Sequence, residues 1–284
     1  MLKTYYELTK PGLVWGNLIT TLAGFLFASR FSPSPSLLLF TLAGTALIIA
    51  SACVFNNVFD READKKMART KGRALASGAI SVSDATVFGS GLSFLGFALL
   101  FFMAGLLSGL VALFAFVVYV RVYTRLKYYS LWAVFVGALA GASPIAIGYT
   151  AVSNNLDLIV SILFATMVLW QMPHFYSIAL YRRADYLEAG IPVLSITKGN
   201  RTTYRHIMVY IFLYLIAAAS LYLFGEVGIT YLIVVLVMGI VWLGSAFAGS
   251  RHPEDLRAAR RMFFVSIAVM VSFAITLAFA PILP

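Results

Sequence analysis

Nine long apolar stretches divide this chain, running approximately over 13–29, 37–59, 85–104, 106–120, 131–152, 157–181, 207–224, 227–249 and 262–281. A bilayer core about 30 Å thick is crossed by roughly 20 apolar residues in helical form. The chain therefore reads as all-α: a polytopic integral membrane protein with nine transmembrane helices around a central cavity. Composition agrees, since 61% of the residues are hydrophobic and only 11% are charged, well outside the range of a soluble domain. The first stretch has Lys3 and Lys10 ahead of it and Ala28 and Ser29 behind it, as a signal peptide would. It is long for a signal, lacks a clear A-x-A site and is followed by further membrane segments, so it reads as the first span. Cys53 is the only cysteine, which excludes an intrachain disulfide, a C-x-x-C redox pair and covalent haem attachment; it reads as a packing residue of the second span.

A net charge of +10 invites a nucleic-acid reading, but its distribution gives a topological one. The N-terminus and the even-numbered connections hold 20 of the 21 Lys and Arg residues, and only Arg30 falls in an odd-numbered connection. The positive-inside rule makes the basic side cytoplasmic and puts the C-terminus outside, with the cell (inner) membrane as the location and no nucleic acid as partner. The alternation also supports the span count, because a missed or invented helix would scramble it.

Two connections are long and polar, 60–84 and 182–206. Each follows an apolar helix and carries acids with further bases after them, and the acids lie 125 residues apart. Residues 1–284 thus read as one transmembrane domain, a four-helix unit used twice plus a ninth span, with the two acidic segments facing each other across the cavity. Gly12/Gly16, Gly105/Gly109 and Gly137/Gly141 have the small-xxx-small spacing that lets helices pack closely. Most of the 23 Phe, 15 Tyr and 4 Trp are expected to face lipid, the core or the interfacial belts, and a minority the cavity.

The sharpest local pattern is NNVFDREAD, residues 56–64. If the second helix continues, Asn56, Asp60 and Asp64 fall at i, i+4 and i+8 on one face. Two carboxylates on successive turns repel unless a cation lies between them. Mg²⁺, which takes hard oxygen ligands from one or two carboxylates and substrate phosphates, suits that place. A solvated loop whose acids balance Arg61 and Lys65 is the other reading. Arg69, Lys71 and Arg73 in RTKGR, and Tyr123 and Lys127 in YTRLK, are placed to meet a diphosphate, although topology alone would account for most of the bases. In ADYLEAGIPVL (184–194), Asp185 would mirror Asp60 and Asp64, Glu188 is a weaker candidate, Gly190 and Pro192 end the helix, and Lys198 is a further phosphate contact. Within the spans, His174 in WQMPH is the one ionisable side chain other than tyrosine, Cys53 and the terminal Asp157. Pro173 should kink the sixth span beside it. The histidine either stabilises that kink through a hydrogen bond or contacts the acceptor substrate, a porphyrin iron included.

The N-x-x-x-D-x-x-x-D pattern at 56–64 with RTKGR downstream resembles the first signature of the intramembrane aromatic prenyltransferase superfamily. TKPGLVWGNL (9–18), SACVFNNVFDREADKKMART (51–70), WQMPHFYSIAL (170–180) and DYLEAGIPVL (185–194) are similar to its protohaem IX farnesyltransferase branch, from residue 9 to about 200. The resemblance implies transfer of a farnesyl group from farnesyl diphosphate to a vinyl group of haem B, with water added, giving haem O and diphosphate. It also implies Mg²⁺ as cofactor and hand-over to haem A synthase or a terminal oxidase. Asp60, Asp64 and Asp185 are the expected catalytic carboxylates and, with Asn56, the metal ligands. Asn56, Asn57, Arg69, Lys71, Arg73, Tyr123, Lys127, His174 and Lys198 are the expected substrate contacts. One departure stands out: the superfamily often has a second acid four residues after the first in its later signature, and Ala189 stands there, leaving Asp185 alone or with Glu188. The rivals are a sister enzyme acting on an aromatic quinone precursor, a membrane transporter, and a haem-binding assembly factor without catalysis.

Overall fold

A computed structural model describes residues 2–284. It is helical throughout, with no strand among the described residues, and nine helices are long and apolar enough to span a membrane. They run Pro11–Ala28, Pro35–Lys66, Val82–Ala104, Leu106–Leu126, Ala133–Ser153, Leu158–Tyr181, Asn200–Leu223, Ile229–Arg251 and Leu256–Phe279, and are called the first to ninth spans. Their outer faces carry exposed Phe94, Phe102, Val209, Ile233 and Ile240, the surface that lipid covers.

Several helices outrun the apolar stretches that announce them, all toward the basic side. The second continues to Lys66, the fourth to Leu126, and the seventh and ninth begin at Asn200 and Leu256. An apolar run marks contact with hydrocarbon, whereas a helix needs only its own hydrogen bonds and can continue into water with polar residues on it. At 1.5 Å per residue the 32 residues of the second span reach ~48 Å, well beyond a core of about 30 Å. Its last turns therefore stand clear of the hydrocarbon and carry Asp60 and Asp64. Lys65 and Lys66 close its C-terminus, where cations favour the helix dipole. The connection 182–199 is largely folded as well, through short helices Arg183–Glu188 and Leu194–Thr197.

The fifth span is the central helix, with the largest buried share of any. It meets the first almost backbone to backbone: a Cβ on Gly24 would lie 2.2 Å from the Ile145 carbonyl oxygen, and one on Gly148 would lie 2.0 Å from that of Thr21. This close approach is at different glycines from the pairs expected. Gly12 and Gly16 have open space beside them and line the cavity. Gly137 abuts the Tyr123 ring and Gly141 the Gln171 amide, while Gly109 takes the Phe101 ring. Gly105 joins the third and fourth spans at φ 114, a conformation that glycine adopts without strain. The sixth span stays helical through Pro173.

Both the third and the fourth span contain a π-helical turn, at Leu100–Ala104 and Val118–Tyr123. The second turn stacks Tyr119 on Tyr123 with ring centroids 5.2 Å apart, beside the cavity. The first, second, fourth, fifth, sixth and ninth spans surround that cavity.

Candidate active site

Continuation of the second span as helix puts Asn56, Asn57, Asp60 and Asp64 on its buried side. A buried carboxylate is costly unless paired and hydrogen-bonded, and each of these is. Asp60 accepts from the Lys127 ammonium and from the Tyr128 hydroxyl at 2.8 Å. Asp64 accepts from Arg73 Nη1 on both oxygens, at 3.0 and 2.9 Å. Thr70 Oγ1 donates to the Asp64 carbonyl at 3.0 Å, tying the following loop to the helix end. Asn57 Nδ2 donates to the Leu8 carbonyl at 2.9 Å, holding the N-terminal helix Leu2–Leu8 against this cluster. Asn56 Nδ2 donates to Thr124 Oγ1 at 3.1 Å, and Asn56 Oδ1 accepts from Lys10 Nζ at 2.6 Å.

Lys10, counted only among the topological charges of the sequence, is thus part of the site. It precedes Pro11 in the left-handed region, φ 53, a sparsely populated conformation for a side-chain-bearing residue and one that turns up where structure serves function. Burial, with Arg73 and Lys127 nearby and Asp60 opposing, lowers its pKa from 10.5 to about 8. Burial and the charge of Asp60 push the Tyr128 phenol up, keeping it a hydrogen-bond donor. Tyr128 also was not foreseen; its signal was its position one residue after Lys127. Lys127 lies 5.7 Å from the centroid of the Tyr123 ring and 5.3 Å from that of Tyr128.

The second acidic segment is looser. Asp185 accepts from Arg69 Nε at 3.1 Å, with its side chain 20% exposed, so Arg69 links the two acidic loops. Burial pushes the Tyr186 phenol up. Arg69, Arg182, Asp185 and Tyr186, with Met67, Ile178 and Tyr181, line a cavity of about 180 Å³. Glu188, Lys71 and Lys198 are exposed and stand outside these contacts.

Among the described residues no three His, Cys, Asp or Glu side chains come together as a ready metal site. What the chain offers is hard carboxylate oxygen on successive buried turns and a third carboxylate across the Arg69 bridge. That donor chemistry fits Mg²⁺. Each carboxylate is paired with a Lys or Arg, Asp185 with Arg69, Asp64 with Arg73 and Asp60 with Lys127.

Beside this charged rim lies an apolar cavity of about 480 Å³. Cys53 and Tyr119 line it near Asn56 and Lys10; Asn17, Thr20, Thr45, Gln171 and His174 are its other polar side chains. His174 stacks on Trp170 with centroids 4.8 Å apart, and its Nδ1 is 2.7 Å from Ser266 Oγ on the ninth span. Two further acids are at the far end. Asp157 caps the sixth span at Val160 N, 3.0 Å, and Glu226 pairs with Arg30 at 3.5 Å.

Residues 17–268 match the UbiA prenyltransferase family. A protoheme IX farnesyltransferase of Serratia proteamaculans (strain 568) is 45% identical over 276 residues, covering 97% of this chain and 93% of that one. Two solved structures share the fold. One, a digeranylgeranylglyceryl phosphate synthase, has a TM-score of 0.82 at 21% identity and covers 99% and 98% of the two chains. The other, a UbiA homologue from Archaeoglobus fulgidus bound to GPP and Mg²⁺, has a TM-score of 0.71 at 18% identity and covers 97% and 99%.

Proposed function

This chain belongs to the UbiA prenyltransferase family, and from that premise we propose that it farnesylates haem B: the farnesyl group of farnesyl diphosphate goes to a vinyl group and water adds, giving haem O and diphosphate. The observation that carries the reading is the adjacency of a cationic rim, built of Lys10, Arg73 and Lys127 around Asn56, Asp60 and Asp64, and an apolar cavity. Farnesyl diphosphate has the same division, an anionic head on a long apolar chain. The full-length similarity to a protein named protoheme IX farnesyltransferase supports haem as the acceptor.

Lys10, Arg69, Arg73 and Lys127 would hold the diphosphate, and their charge stabilises it as the bond to the allylic carbon breaks and the electron pair stays on the phosphate oxygen. Asp60, Asp64 and Asp185 would hold Mg²⁺, whose contribution is further neutralisation of the leaving group. The Tyr128 hydroxyl would keep the Asp60 carboxylate aimed. The allylic cation forms at the cavity end of the site, where Phe116 and Tyr119 exclude water and offer their ring faces. The terminal vinyl carbon bonds to the farnesyl carbon, the positive charge moves to the carbon next to the porphyrin ring, and water adds there with loss of a proton. Lys71 and Lys198 are exposed in the two long connections, and Asp185 is the least buried of the three acids. On the positive-inside rule the rim is at the cytoplasmic face of the inner membrane.

The test is the purified protein in lipid nanodiscs with farnesyl diphosphate and Mg²⁺, supplied with haem B or with hydroxybenzoate and naphthoate acceptors, and the products weighed. Haem should gain one farnesyl group and one water. Conversion of the aromatic acids and not of haem would transfer the protein to the quinone-precursor branch.

A further inference from the structure

The donor pattern around Ser266 fixes which nitrogen of His174 is free. Ser266 has one hydroxyl proton and two neighbours: the Phe263 carbonyl oxygen at 2.5 Å and His174 Nδ1 at 2.7 Å. A carbonyl can only accept, so the hydroxyl proton goes to Phe263, and Ser266 Oγ must accept from His174 Nδ1–H. In the neutral ring this leaves Nε2 as a bare lone pair. Two further contacts hold the ring still: Trp170 stacks on one side at 4.8 Å and Phe263 lies at 5.0 Å. Trp170 itself is anchored to the ninth span by donating Nε1–H to the Ser266 carbonyl at 2.8 Å. The sixth and ninth spans are thus pinned together at the residues that orient the imidazole, and His174 lines the apolar cavity.

A histidine with Nδ1–H tied to an acceptor and Nε2 unprotonated is the form in which imidazole binds a metal, with the outer hydrogen bond setting ring orientation and basicity. Iron porphyrins are held by a neutral imidazole in this way. We propose that His174 Nε2 is an axial ligand of the haem iron of the acceptor, oriented by Ser266; this rests on the reading of haem as substrate and specifies how the haem is held. Seven residues separate His174 from Tyr181 at the rim, ~11 Å along a helix. Ligation there would hold the haem about two helical turns below the rim.

The experiment uses the full chain in nanodiscs, titrated with ferric haem B and with metal-free protoporphyrin IX, which keeps both vinyl groups and lacks the iron. Electronic absorption and electron paramagnetic resonance report the iron ligand. The wild type should show a histidine-ligated haem, and metal-free porphyrin should bind at least about tenfold more weakly, the factor that about 1.4 kcal/mol represents. His174→Ala should lose the nitrogen-ligand signature and regain it on addition of imidazole. His174→Gln, whose amide can still donate to Ser266, guards against a folding defect and should also lose it. Retention of the wild-type signature in both variants, or its absence from the haem-loaded wild type, overturns the proposal. Equal farnesylation of haem and metal-free porphyrin overturns the iron contact while leaving the farnesyl transfer standing, and failure of the wild type to bind any porphyrin removes both.

Discussion

The two acidic segments differ in how their carboxylates are held. Asp60 and Asp64 ride on one continuous helix that also spans the membrane, are buried, and each accept two hydrogen bonds, Asp60 from Lys127 and Tyr128 and Asp64 from Arg73 on both oxygens. Asp185 is on a six-residue helix one residue beyond the sixth span, is partly exposed and accepts one hydrogen bond, from Arg69. Preorganised charge stabilises a transition state without reorganising at the moment of reaction. On the proposed function the first segment supplies such fixed charge, and the second a less buried acid held by a single pair.

The largest expected effect follows from this inequality. Asp60→Asn and Asp64→Asn should each lower turnover by about 10³-fold or more, whereas Asp185→Asn should cost about 10- to 100-fold, all read as haem O formed per enzyme. Similar losses in all three would erase the distinction. The two arginines sharpen it at the level of stability. Arg73→Ala leaves the buried Asp64, 4% exposed, without its counter-charge and should destabilise by about 3 kcal/mol. Arg69→Ala breaks a more exposed pair and should cost under about 1 kcal/mol. Thermal unfolding in a fixed detergent measures both.

The next effect is a pH limb from Lys10. Its ammonium is charged below about 8 and neutral above, so KM for farnesyl diphosphate should rise as pH increases through that value, approaching tenfold per unit. Lys10→Arg stays charged and should abolish the limb, whereas a limb unchanged by that substitution would take Lys10 out of the site. The smallest effects belong to the exposed bases over the rim. Lys71→Ala and Lys198→Ala should each change kcat/KM by no more than about twofold, and a loss of tenfold in either would mean that these loops fold down onto the substrate.

What could be read from the sequence was what is local. Apolar runs and the alternation of basic connections gave nine spans, because burial in lipid acts residue by residue along each helix. The spacing of Asn56, Asp60 and Asp64 gave a common face, because helical periodicity is local too. The pairings were harder. Lys10 meets Asn56 across 46 residues and His174 meets Ser266 across 92, and neither partner stands out in its own segment. Lys10 looks like any cation of a positive-inside flank, and Ser266 like any serine in an apolar helix. The close approach of the first and fifth spans uses Gly24 and Gly148, which share no motif, since the fit depends on where Ile145 and Thr21 point their carbonyls. Lys71 and Lys198, as close to the signatures, are exposed and stand outside the contacts of the buried cluster.

The central claim is that Asp60 and Asp64 hold a divalent cation against the diphosphate. Replacing Mg²⁺ by Mn²⁺ and adding an unreactive thio analogue of farnesyl diphosphate allows electron–nuclear double resonance to detect ³¹P beside the metal. A ³¹P coupling in the wild type that disappears in Asp60→Asn and in Asp64→Asn is the predicted result. A coupling that persists unchanged in both variants would contradict the account.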